Sequence, residues 1–223
     1  MRFDVITLFP EIFEFYFKHS ILKKAKEKGI IKIKVHNLRD FTSDKHKTVD
    51  DKPFGGGRGM VLKVEPIYKA VQSLKSKVKS QKSKIILFTP RGKKFTQKMA
   101  TEFAKLNQLI LICGRYEGVD ERVAKYLCDE KISIGDYVLM GGELPALVVI
   151  ESVARLVPGV IGKSELLKER FTEKGGFLEY PQYTRPEVFE PQKGVKWKVP
   201  KVLLSGDHKK IEEWRKKHSK VIE

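Results

Sequence analysis

Cysteine is scarce in this chain: only Cys113 and Cys128 occur in 223 residues. Each lies in an apolar segment, without CxxC spacing or neighbouring histidines, so a zinc site has no support and two buried, reduced thiols are expected. Long hydrophobic runs are missing too, and none approaches the ~20 residues of a membrane span. The apolar start MRFDVITLFPEIFEFYF is interrupted by Asp4, Glu11 and Glu14, and no small-residue cleavage site follows it. It fails as an export signal, which places the chain in the cytoplasm. Several catalytic signatures are also absent. Gly55-Gly56-Gly57-Arg58-Gly59-Met60 is neither a phosphate loop nor a dinucleotide fingerprint, and it follows Lys52-Pro53-Phe54 rather than a strand; it reads as a flexible loop able to pass close to a ligand. Asp44, His46, Asp50 and Asp51 lack the spacing of a zinc helix or a calcium loop, and no Gly-x-Ser-x-Gly elbow exists. No metal site is assigned.

Negative charge is the remaining shortage. Forty-five Lys and Arg stand against 28 Asp and Glu, a formal +17. Heat adaptation raises both signs together, whereas this excess has one sign, which points to a polyanionic partner such as nucleic acid. The excess is concentrated: ten basic residues and no acidic one lie between Pro66 and Thr101. Such a stretch attracts phosphates and makes binding fall steeply with salt.

The apolar pattern gives the architecture. Phe3 to Leu8 reads as a buried strand, a helix starts at Pro10 with Phe13, Phe17 and Ile21 on one face, Gly29 ends it, and Ile30 to Val35 reads as a second strand. A strand, helix and strand in this order form a right-handed crossover and a parallel sheet. A helix after Pro66 places Ile67, Ala70, Val71, Leu74 and Val78 on one face, and a solvated basic segment, KSKVKSQKSK, follows it. Three short apolar runs come next, each closed by a glycine-bearing loop leading into helical pattern: Lys84 to Phe88, Leu109 to Cys113, and Lys131 to Ile134. Ligands of open parallel sheets lie beyond the carboxyl ends of strands, so these three loops are expected to form one pocket. Leu144 to Val157 reads as an apolar helix packed on the sheet or on another subunit, residues 162–181 as a linker, and the rest as a small, mostly helical domain in which Ser205-Gly206-Asp207 caps a helix ending at His218. Trp214 in that helix either stacks on a base or anchors the helix to its own core.

Together the segments RDFTSDKHKTVDDKPFGGGRGM, ICGRYEGVDERV, SIGDYVLMGGELPALVVIESVARLVPGVIG and YPQYTRPEVFE closely resemble the bacterial tRNA (guanine-N1)-methyltransferases that modify guanine 37, beside the anticodon, within the SPOUT superfamily. The resemblance runs from Met1 to the LLSGDH segment. It implies an α/β fold whose parallel sheet carries a deep trefoil knot, with S-adenosylmethionine-binding residues in 1–161 and a small tRNA-binding domain over 182–223. It further implies S-adenosyl-L-methionine as methyl donor, with a magnesium ion left unassigned. The implied partners are the anticodon stem-loop of tRNA and a second copy in a homodimer, with the active site at the subunit interface.

Carried over by position, the resemblance puts the methyl donor on Leu87, Pro90, Gly114, Ile134, Gly135, Asp136, Tyr137, Val138, Leu139, Gly141 and Gly142. Closely spaced glycines let backbone groups approach a ligand directly, although each taken alone is ordinary turn chemistry. Arg155 is implied to meet the charge on guanine O6; its competing role is to cap the last turn of its helix. The base of the family is an aspartate in an Asp-Ser-Phe context, and Lys168-Glu169-Arg170-Phe171 is the matching stretch, so Glu169 is the candidate, with Glu165 and Glu173 close by. Glu117 is a second carboxylate that contacts the guanine edge or pairs with Arg115 or Arg122, and Tyr116 stacks on a base or packs. Arg58 stands where the family usually has proline. The rival reading is a non-catalytic RNA-binding or assembly factor on the same fold, favoured only by the altered Glu169 context. A related enzyme acting on ribose or ribosomal RNA would lack Tyr183-Thr184-Arg185-Pro186.

Overall fold

A computed structural model describes residues 1–75, 82–162 and 177–222. The chain divides into two compact units, Met1–Ser164 and Glu165–Glu223. The first unit is built on five parallel strands: β1 (Arg2–Thr7), β2 (Lys32–Asn37), β5 (Ser83–Lys94), β6 (Gln108–Ile112) and β7 (Glu130–Ser133). Their order across the sheet is β2-β1-β6-β5-β7, and every pairing is parallel. A small antiparallel pair, β3 (Asp50–Asp51) and β4 (Val61–Leu62), lies apart from that sheet.

Both faces of the sheet are covered, as the continuous apolar strands require. Phe3, Val5, Ile86, Phe88, Leu109 and Leu111 point to one face, packing with Phe13 of α1 (Glu11–Tyr16), Leu22 and Ala25 of α2 (Ser20–Glu27), Phe103 of α4 (Gln97–Phe103) and Val149 and Val153 of α6 (Glu143–Ala154). Their neighbours Ile6, Ile85, Leu87, Ile110 and Ile112 point the other way, onto Ile67, Val71 and Leu74 of α3 (Val64–Lys75) and Val123 of α5 (Glu121–Tyr126). The period-two alternation splits one sequence run between two cores. Each such side chain taken fully out of water contributes about 1.5–3 kcal/mol. No helix among the described residues is long and apolar enough to cross a membrane.

Three details depart from the sequence reading. The first helical segment is broken: α1 stops at Tyr16, Ser20 takes a left-handed φ of 54°, and α2 restarts out of phase. Leu22 is therefore buried where Ile21 was expected, and Ile21 is exposed. Second, Thr89-Pro90-Arg91-Gly92 does not pass directly into a helix: β5 resumes as far as Lys94 before α4 begins at Gln97. The chain bulges there and returns to the same neighbour, so Phe88 and Lys93 both pair with Ile132. Gly92 is needed because a Cβ would stand 2.5 Å from the Ile132 backbone. Third, the described part of the second unit, residues 177–222, is not mostly helical. Beside α7 (Lys201–Leu204) and α8 (His208–His218) it carries β8 (Phe177–Glu179) paired with β11 (Lys220–Ile222), and a hairpin of β9 (Val188–Gln192) and β10 (Val195–Lys198). Phe177–Glu179, read as linker, is thus a strand. Asp207 caps α8 as its sequence suggests, accepting from the Lys210 amide at 3.2 Å. Val78 and most of the basic segment that follows α3 fall outside the described residues.

The amino end of the sheet holds a buried charge. Asp4, wholly inaccessible, accepts from His36 Nε2 at 2.8 Å, from Arg2 through two nitrogens, and from Gln108 Nε2 at 2.8 Å. Burial pushes its carboxyl up, but the His36, Arg2 and Gln108 bonds outweigh that and bring it down to about 2 from an ordinary 3.8. A carboxyl lowered on folding stabilises the native state above its unfolded value and loses that contribution as pH falls through the folded value. The contribution is about 2 kcal/mol. Urea melts of wild type and Asp4→Asn are therefore expected to differ by at least that amount at pH 7. The gap should narrow between pH 4 and pH 2; a gap constant with pH would contradict the assignment.

Candidate active site

The carboxyl ends of β5, β6 and β7 open into one cleft of about 590 Å³, within the range of small-ligand sites. Its walls are the bulge Thr89–Arg91, the loop Gly114–Val119 after β6, and the stretch from Ser133 to Gly142 after β7, with Pro145 of α6 closing one side. Of the residues assigned to the methyl donor, Leu87, Pro90, Gly114, Ile134, Tyr137, Val138, Leu139, Gly141 and Gly142 line this cleft. Gly135 and Asp136 do not: the Gly135 carbonyl accepts from Ser133 Oγ at 2.9 Å, and Asp136 pairs with Lys94.

What holds the walls together is a buried carboxylate. Glu143, 1% exposed, accepts from Thr7 Oγ1 at 2.7 Å and from Arg115 Nε at 3.0 Å. Thr7 Oγ1 in turn accepts from the Phe9 amide, and the Arg115 guanidinium lies over the Phe9 ring at 4.5 Å. The ends of β1 and β6 and the first turn of α6 are thereby joined in one network. The Gly142 amide donates to the Gly114 carbonyl at 3.0 Å, which draws the two glycine loops together. A Cβ on Gly142 would come within 2.6 Å of Cys113 Cα, so only glycine permits this approach. Sequence reading missed Glu143, since an acid in a helix's first turn looks like ordinary dipole complementarity. It also missed Arg91, Glu121 and Lys131, which line the cleft without any local pattern.

Glu117 is an exposed carboxylate on the cleft wall. Its expected partners are engaged elsewhere: Arg115 holds Glu143 and Arg122 holds Asp120 at 2.7 Å. No described residue gives the Glu117 carboxylate a hydrogen bond or an ion pair. The loop before β4 lies against it. The Glu117 amide donates to the Met60 carbonyl at 3.1 Å, and a Cβ on Gly59 would meet Glu117 Cγ at 2.6 Å. Tyr116, beside it, sits half-exposed on the cleft wall with a left-handed φ of 59°, a conformation a bulky side chain keeps only when its surroundings impose it.

Arg155 caps the C-terminal end of α6 and is exposed. Ten residues beyond Pro145, it stands about 15 Å farther along the helix and does not line the cleft of its own chain. Glu165, Glu169 and Glu173 lie outside the described residues. Neither cysteine offers a nucleophile. Burial pushes the Cys113 thiol well up, and burial likewise raises that of Cys128, which is only partly covered, to about 12.

Comparison with known proteins shows which family the chain belongs to. Residues 1–222 match the family model described as tRNA (Guanine-1)-methyltransferase TrmD. The chain belongs to this family. It is 57% identical over 219 residues to the tRNA (guanine-N(1)-)-methyltransferase of Dictyoglomus turgidum, covering 98% of this chain and 85% of that protein. The enzymes of the same name from Carboxydothermus hydrogenoformans and Clostridioides difficile are 54% and 51% identical, again over 98% of this chain, and over 83% and 92% of their own lengths.

Gly142→Ala is expected to cost about 1–3 kcal/mol through overpacking. A Tm several degrees below wild type in calorimetric scans would register it; an unchanged Tm would show that the Gly114–Gly142 approach is not tight.

Proposed function

We propose that this protein transfers a methyl group from S-adenosyl-L-methionine to N1 of guanine 37 in tRNA, next to the anticodon. One observation carries the reading: in a chain of this family, loops from three adjacent strand ends meet at one cleft, on whose wall the Glu117 carboxylate has no partner among the described residues.

The cleft suits the methyl donor chemically. Leu87, Pro90, Ile134, Leu139 and Pro145 offer apolar surface for a purine, while Gly114, Gly141 and Gly142 leave backbone amides and carbonyls accessible at its edge. When bound, S-adenosylmethionine supplies a methyl group already activated on a sulfonium. The protein's tasks are then to align the guanine, remove the N1 proton and meet the negative charge that develops on O6. Glu117 accepts from the Watson-Crick edge of guanine and fixes its orientation. Glu169 takes the N1 proton, and Arg155 faces O6. Alignment alone contributes up to about 7–11 kcal/mol in ideal systems.

Arg155 stands away from its own cleft, so the arrangement is completed in a homodimer with the active site at the subunit interface. Leu144 and Val148, both exposed on α6, give that helix an apolar outer face for a second copy. A deep trefoil knot of the SPOUT kind in the parallel sheet is part of the same proposal, on the strength of the family. The second unit, which includes Tyr183 to Pro186, contributes to holding the anticodon stem-loop. The enzyme works in the cytoplasm. The intact cleft argues against a non-catalytic RNA-binding factor.

The test uses labelled S-adenosylmethionine and tRNA transcripts carrying guanine or adenine beside the anticodon. Label is expected on the guanine transcript alone. Glu169→Ala should lower kcat about 10²–10⁴-fold and Arg155→Ala about 10²–10³-fold. Full activity in Glu169→Ala would move the base to another carboxylate.

A further inference from the structure

Among the described residues, the hairpin β9–β10 is the most exposed aromatic feature of the second unit. Every residue of both strands is exposed, yet the hairpin carries Phe189 and Trp197 as directly opposed partners, 50% and 64% exposed, with ring centroids 5.7 Å apart and planes at 55°. An isolated hairpin gains little from baring two large rings to water, so the pair has a use outside its own fold.

Its surroundings indicate the partner. Lys193 lies in the turn, Lys196 and Lys198 flank Trp197, and Lys201 follows, against only Glu187 and Glu190. Glu190 is partly engaged within the turn, accepting from the Gly194 amide at 2.8 Å. Lysines set among aromatics are depleted from the cores of protein–protein interfaces, whereas surfaces that bind single-stranded nucleic acid combine these two residue types. The other tryptophan does not share this exposure. Trp214 is half-buried, stacked on His218 at 4.2 Å and edge-on to Tyr183 at 6.2 Å, which makes it the helix's anchor.

We propose that the β9–β10 hairpin is an RNA-stacking element, in which the outer face of Trp197 takes an unpaired base of the tRNA and Lys193, Lys196 and Lys198 bind the adjoining phosphates. This rests on the reading that tRNA is the substrate. Phe189 closes the inner face of Trp197: the two rings are in contact and tilted, which leaves no slot between them, so the base stacks from outside. Every base has a π-face, so the hairpin adds affinity without choosing the nucleotide to be methylated.

The chain has two tryptophans, so a Trp214→Phe background leaves Trp197 as the sole indole emitter. Titrating that protein with tRNA transcript is expected to quench its emission, and titrating it with polyphosphate, which has charge but no bases, is not. In the otherwise native protein, Trp197→Ala should raise the Kd and KM for tRNA about 5- to 150-fold, with kcat at saturating tRNA unchanged and Trp197→Tyr restoring most of the loss. Lys196→Ala/Lys198→Ala should flatten the dependence of log Kd on log salt by roughly 1.5. Unchanged tRNA affinity in Trp197→Ala overturns the proposal. So does a shift of that variant to half the native mass in sedimentation, which would make the hairpin a contact between two copies of the chain. Wild-type methylation measured alongside separates the two readings: its absence strikes at the enzyme assignment, while quenching by tRNA still decides the hairpin.

Discussion

A single buried carboxylate holds the cleft in shape. Glu143 has no route to water, and its two bonds, to Thr7 and Arg115, reach across 136 and 28 positions of sequence. A buried charge with both partners in place is tolerated, but one left unpaired is strongly destabilising. The end of β1, the loop after β6 and the first turn of α6 must therefore arrive together. Once they do, Arg115 is fixed over Phe9 and the Gly114 and Gly142 loops are pulled within hydrogen-bonding distance. The shape of the cleft follows from satisfying that one acid.

The two charged centres of the sheet divide the work. Asp4 sits at the amino end of β1, locked by Arg2, His36 and Gln108, and serves stability. Glu143 sits beyond the carboxyl end of the same strand, beside the loops that line the cleft. The separation agrees with the general behaviour of parallel sheets, in which chemistry gathers at the carboxyl ends. Glu117 is a third case. It is exposed, and Arg115 and Arg122 are committed elsewhere, so among the described residues its carboxylate is left as an open acceptor on the cleft wall.

Much of this was legible in the residues. The parallel strands announce themselves as short apolar runs ending in glycine loops, α3 by its Ile67–Leu74 face, and the cap of α8 by Ser205-Gly206-Asp207. What was hidden depends on contacts distant in sequence. Nothing local says that Thr89–Gly92 must return to Ile132, because the reason is the proximity of another strand's backbone. Helical periodicity chose Ile21 over Leu22 because it assumes an unbroken helix, and Ser20 breaks the phase. The β9–β10 hairpin was obscured for a different reason: its strands mix Lys, Glu and aromatics without a buried face, so the alternation that marks most strands is missing.

The bulge at Thr89–Gly92 bears on how a ligand is received. Both of its ends are fastened to one residue of β7, so this wall is unable to swing outward as a hinged flap would. Most of the ordering that a small molecule would otherwise impose has been completed during folding. A molecule entering from this side meets a wall already fixed by the fold, and any widening for entry or escape falls to other parts of the rim.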